Sequence, residues 1–201
     1  MKFLKFLEKI LPLFFWVLII FAFDEKQFAF LTLLSAMIHE LGHAIFGLSV
    51  GVLHIFPRAK VNGFRLTPEK MLSYKDELRL IIGGPLFNLI FSLAFFGVYF
   101  VTKSDFPFEF ALVNLFTLVS NLLPIKGYDG YGILECFLNL RKLSFPSTER
   151  LLLRLSFVFI SLLVFLSLYF ILKFGEGYWI FAVFFVTFFS EITKLCQNDI
   201  F

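Results

Sequence analysis

His39-Glu40-Leu41-Gly42-His43 lies inside an apolar run that begins near Phe28 and continues to Val52, and the rest of the chain is read outward from it. Residues four apart on a helix share a face, so the two imidazoles can converge on one metal ion. Glu40, one step round, reaches the open side of that ion, which is the ligand arrangement of a hydrolytic zinc site. With only three His in 201 residues, chance supplies this pattern in roughly two chains per thousand of such composition. Three ionisable side chains within five residues are costly in hydrocarbon, and they persist only if paired, metallated or facing water. The plainer alternative is a polar patch buried between helices.

Composition places the run in a bilayer. Hydrophobic residues make up 59% of the chain, charged residues 16%, and there are 33 Phe; a soluble domain could not cover them. Apolar stretches long enough, or nearly so, to cross about 30 Å of hydrocarbon fall near 8–23, 28–50, 80–101, 106–125, 150–173 and 177–195. The expectation is an all-α polytopic membrane protein of about six transmembrane helices, forming a single membrane-embedded domain over 1–201. Lys2, Lys5 and Lys9 precede the first stretch, but Ala22-Phe23-Asp24-Glu25 offers no small-residue cleavage site, so that stretch reads as a retained span. A net charge of +3 is too small and dispersed for a nucleic-acid surface. Cys136 and Cys196 suggest neither a disulfide framework nor a thiolate zinc site.

Loop charges give an orientation. Lysine and arginine concentrate in the N-terminal arm, in Gly51–Arg79 and in Lys126–Arg150, whereas the turns at Asp24–Gln27, Lys103–Glu109 and Lys173–Gly177 are neutral or acidic. The positive-inside bias then puts both termini and both long loops in the cytoplasm, with His39 and His43 between mid-membrane and the cytoplasmic surface. Localisation is expected in a bacterial cell membrane.

The segment after the second span changes texture. Val52-Leu53-His54-Ile55-Phe56 and Val61-Asn62-Gly63-Phe64-Arg65-Leu66 are β-prone and separated by Pro57-Arg58-Ala59-Lys60, which predicts a small β-hairpin between the second and third spans, against the alternative of a mere loop. An edge strand there could pair with an extended peptide. Tyr74–Leu80 reads as a short interfacial helix leading into Gly83-Gly84-Pro85, where the chain would kink or admit a close backbone. Asn88, deep in an apolar helix, needs a partner: another helix or a substrate carbonyl.

Two histidines leave zinc short of its usual three protein ligands. Asp129 is the best third candidate. It follows Asn121-Leu122-Leu123-Pro124, precedes Gly130, and lies on the side to which the histidine span delivers its imidazoles; Pro124, Gly127 and Gly130 would let a carboxylate turn back into the bundle. An ordinary Asp-Gly turn is the other reading of that pair. His54 is the rival ligand, although a lone His there is more often an interfacial residue. Glu109, Glu135 and Glu191 fall near span ends, where snorkelling to water accounts for them.

His39-Glu40-Leu41-Gly42-His43 in one span, Gly84-Pro85-Leu86-Phe87-Asn88 in the next and Asn121-Leu122-Leu123-Pro124-Ile125 followed by Asp129-Gly130 after a third resemble, as an ordered set over about residues 28–135, the site-2 protease family of intramembrane zinc metallopeptidases. The short connection after the first motif looks most like the sporulation-protease branch, that of stage IV sporulation protein F, and it leaves no room for the inserted PDZ domain of other members. The resemblance implies one zinc ion held by His39, His43 and Asp129, with Glu40 as general base. It also implies that Asn88 positions or polarises the scissile carbonyl and that Asn121 shapes the ligand loop. Lys126, Gly127, Tyr128 and Tyr131 depart from the family's usual residues around the Asp, which bears on loop shape and substrate fit.

The reaction so implied is hydrolysis of a peptide bond in or beside the span of a membrane-protein substrate, in contact with the lipid bilayer. The helices at 8–23, 150–173 and 177–195 would flank the catalytic core. Two other classes compete: a membrane scaffold that keeps the fold without turnover, which has no need of Glu40, and a metal-ion transporter, which would require polar residues across both leaflets.

Overall fold

Hydropathy and punctuation in the sequence translate directly into element boundaries in the computed structural model, which describes residues 28–52, 57–60, 63–66, 72–141 and 145–174 together with 185 and 188. The elements in chain order are helix α1 (Phe28–Ser49), strands β1 (Pro57–Lys60) and β2 (Gly63–Leu66), and helices α2 (Tyr74–Thr102), α3 (Asp105–Asn121), α4 (Asp129–Leu140) and α5 (Phe145–Phe174). Three described helices are long and apolar enough to cross a membrane, over Phe30–Ser49, Tyr74–Thr102 and Ser147–Lys173. At 17 residues, α3 is slightly shorter. The spans expected at 8–23 and, apart from positions 185 and 188, at 177–195 lie outside the described residues, as does His54.

The chain forms two compact units. One comprises Met1–Met71 with Ile82–Ser120, the other Leu72–Ile81 with Asn121–Phe201.

In the first unit α1, α2 and α3 share a core of Leu31, Ile38 and Phe110, against which Leu34, Phe87, Phe91, Phe95 and Val113 pack. Phe95 meets Phe110 edge to face, with centroids 4.7 Å apart, a geometry in which each ring's positive edge faces the other's negative face. The first and second helices also touch through bare backbone. A Cβ on Gly42 would collide with the Gly83 carbonyl, and one on Gly83 would fall 2.5 Å from the Gly42 oxygen. β1 pairs antiparallel with β2, Pro57 opposite Leu66 and Lys60 opposite Gly63. Pro57-Arg58-Ala59-Lys60 is therefore a strand and not the turn expected of it, since a proline at the first strand position forfeits little of the ladder.

Tyr74–Leu80 likewise is no separate interfacial helix; it is the opening of α2, which runs unbroken through Pro85. Ser73 caps that helix, its hydroxyl accepting from the Asp76 amide at 3.3 Å.

In the second unit α4 packs on α5. The Lys126 amide donates to the Ser156 hydroxyl at 3.0 Å, which ties the segment before α4 to α5. Gly127 takes a φ of 105° in that segment, a left-handed conformation that glycine adopts without steric cost. A Cβ on Gly130 would collide with the Leu122 carbonyl. Within Lys126–Arg150, read from sequence as a loop, the structure has a 12-residue helix, Asp129–Leu140.

Candidate metal centre

One turn of α1 separates His39 from His43, and their rings meet edge to face with an interplanar angle of 87°. Both are buried, at 6% and 8% exposure. Their Nε2 atoms lie 3.1 Å apart. Two nitrogens bound to one tetrahedral zinc ion at about 2.0–2.1 Å each stand roughly 3.3–3.4 Å from one another, so the pair is already at ligand spacing.

Gly84 makes the room. A Cβ there would sit 2.5 Å from His43 Nε2 and 2.7 Å from His39 Nε2. Any side chain on that residue would occupy the place where the two donor atoms converge. The Gly84 amide also donates toward His43 Nδ1 at 3.3 Å. The glycine that reads in sequence as part of a kink is thus the floor of the ligand pair.

Asn88, fully buried, places its Oδ1 2.6 Å from His39 Nδ1. Its Nδ2 faces the Ser35 carbonyl at 3.2 Å, the Ser35 hydroxyl at 3.1 Å and Asn114 Oδ1 at 3.0 Å. The amide implied to meet a substrate carbonyl therefore has its donors and its acceptor turned to the protein. Glu40 follows His39 on α1 and is half-buried, on the neighbouring face that the 100° step per residue dictates.

Sequence reading missed Ser35 and Asn114. Ser35 lies one turn before His39, and Asn114 is an amide in the middle of an apolar helix, the same signal that singled out Asn88. Both are wholly buried.

In the second unit, Asp129 is the first residue of α4 and half-buried. It is a helix-opening carboxylate, stabilised there by the amide ends of the first turn, and not part of a loop. Asn121 closes α3. Burial pushes the Tyr128 phenol above its ordinary range. Cys136, also buried, has its thiol pushed up to about 12, first by desolvation and then by the Glu77 and Glu135 carboxylates.

No family model matches this sequence, and no curated protein matches it. The structure is similar to the solved site-2 protease from Methanocaldococcus jannaschii, with a TM-score of 0.65 and 18% identity over 92% of this chain and 87% of that one. The fold is that of a site-2 protease. Within this site-2 protease fold, identity as low as 18% transfers architecture alone, and the roles of individual residues rest on the donor atoms described above.

Proposed function

We propose that this chain is an intramembrane zinc metalloprotease of the site-2 protease family, cutting a peptide bond in or beside the membrane span of another protein. The observation that carries the reading is the pair of buried imidazoles with Nε2 atoms 3.1 Å apart above a glycine that leaves their convergence point clear. Of the described residues, His39, His43 and Asp129 make up a group that could hold a metal ion. Two imidazoles and a carboxylate are a catalytic zinc donor set, one that leaves a coordination position open.

Zinc bound there supplies Lewis acidity to the scissile carbonyl and acidifies water. His39 and His43 fix the ion from one rigid helix, and Asp129 adds the compensating negative charge. Glu40 removes a proton from the attacking water and returns it to the leaving amine. Asn121 closes α3 ahead of the segment that leads to Asp129. The full reading comprises about six spans, both termini in the cytoplasm and water reaching the site from that side. The short α1–α2 connection favours the sporulation-type branch.

The test is Glu40→Gln in the full-length protein, with zinc and cleavage measured in parallel. Zinc should stay at one per chain, while cleavage of substrates trapped by the same variant falls ~10²–10⁴-fold. Undiminished cleavage would remove Glu40 as base. A wild-type chain that holds zinc and cuts nothing would be a scaffold, and one that moves zinc across vesicles would be a transporter.

A further inference from the structure

The geometry points to Asn88 and Asn114 as positioning residues that lock His39 into the tautomer whose Nε2 lone pair faces the metal point, an inference that rests on the metal-site reading above.

The orientation starts at a main-chain carbonyl. Phe110 O can only accept, so the Asn114 side-chain nitrogen, 2.9 Å away, must be the group turned toward it. Asn114 Oδ1 then faces Asn88, and that contact of 3.0 Å needs a donor, which only the Asn88 Nδ2 can supply. The Ser35 carbonyl, 3.2 Å from the same nitrogen, makes the same demand independently. Asn88 Oδ1 is left pointing at His39 Nδ1, 2.6 Å away, and as an amide oxygen it can only accept. The proton of the neutral His39 ring must therefore sit on Nδ1. Nε2 is left with its lone pair exposed 3.1 Å from its counterpart on His43.

Flipping either amide would set oxygen against oxygen or N–H against N–H at two contacts in a buried site, where each unmade hydrogen bond costs about 1–3 kcal/mol. Ser35 reinforces the arrangement. Its hydroxyl lies 3.2 Å from Asn114 Oδ1 and 2.9 Å from Thr117 Oγ1, and Thr117 is itself committed to the Val113 carbonyl at 2.9 Å. Three helices thus fix one proton. Outer partners of this kind hold a metal-binding imidazole in a single orientation and tautomer, and here the chain of amides extends that control to a residue that touches no ligand.

The chain has three His, so ¹⁵N-histidine labelling of the detergent-solubilised, zinc-free full-length protein gives a spectrum simple enough to assign. The expected result is His39 with its proton on Nδ1. Asn114→Leu, which contacts neither imidazole, should shift that ring toward the Nε2–H form and weaken Zn²⁺ binding by ~10–100-fold in chelator competition. A wild-type His39 protonated on Nε2 would overturn the inference, as would Asn114→Leu leaving tautomer and affinity unchanged. Should that variant fail to fold, the wild-type spectrum still decides. Neither measurement uses a substrate, so a chain with the expected tautomer that never cleaves would fail the protease reading alone.

Discussion

Gly84 shows how one absent side chain can carry a site. In Gly84→Ala, the new methyl group would need the space of both Nε2 atoms, and the helix-propensity gain of up to about 1 kcal/mol for Ala over Gly cannot compensate for displaced ligands. Zinc affinity should fall ~10–100-fold, the range seen when the support of a metal ligand is lost. Equilibrium dialysis of the variant showing wild-type zinc content would contradict this. Cys136 makes a different demand. Its folded-state thiol stands at about 12 against an ordinary 9.0, so the protonated form is favoured by folding. The sign follows: this contribution is fully present below pH 9 and is lost as pH rises from about 9 toward 12. In a Cys196→Ser background, iodoacetamide at pH 8 should label Cys136 only after denaturation, because the thiolate is the reactive species. Native labelling as fast as denatured labelling would show the thiol to be open. At this scale much was legible in sequence. The spacing of His39 and His43 alone put their rings together, because helical geometry is local. The partners of Asn88 were not legible, since its choice between a substrate carbonyl and His39 depends on Ser35 and Asn114, which tertiary packing brings to it.

Elements succeed or fail by how closely they approach. α1 and α2 cross where Gly42 and Gly83 have no side chains, and the atoms a Cβ would meet are main-chain carbonyls that cannot swing aside. Gly42→Ala and Gly83→Ala should each destabilise by about 1–3 kcal/mol, the usual penalty of overpacking. Once one methyl group has parted the helices, a second adds little, so the double variant should fall well short of the sum. Reversible unfolding in mixed micelles measures all three, and strict additivity would deny the shared crossing. The sequence suggested a close backbone approach at Gly83-Gly84-Pro85 but could not name Gly42 as the partner. It missed α4 because Gly127, Gly130 and Gly132 advertise loose chain. In the structure, the glycine at 130 instead answers a tight approach to the Leu122 carbonyl. It also misjudged Pro57, where a residue that usually marks a turn opens a strand.

At the scale of the molecule, hydropathy had the most to say and local chemistry the least. The three described helices that can cross a membrane coincide with expected spans because a run of apolar residues near 20 has few other destinations. Their outward surfaces carry large apolar side chains such as Phe100, Phe165 and Leu172, as a lipid-facing surface requires. The charge bias predicts an inward-running α1, so reporter fusions at either terminus should be active in the cytoplasm and silent outside. A terminus found outside would invert the entry side for water. Between α2 and α3 lie only Lys103 and Ser104, with Lys103 held at a φ of 56° and its ammonium 5.5 Å and 5.3 Å above the rings of Tyr99 and Phe100. Two linking residues reach at most about 7 Å. Those two helices are therefore hinged like the blades of shears at that end, and any parting of them to admit a polypeptide must widen toward the opposite rim.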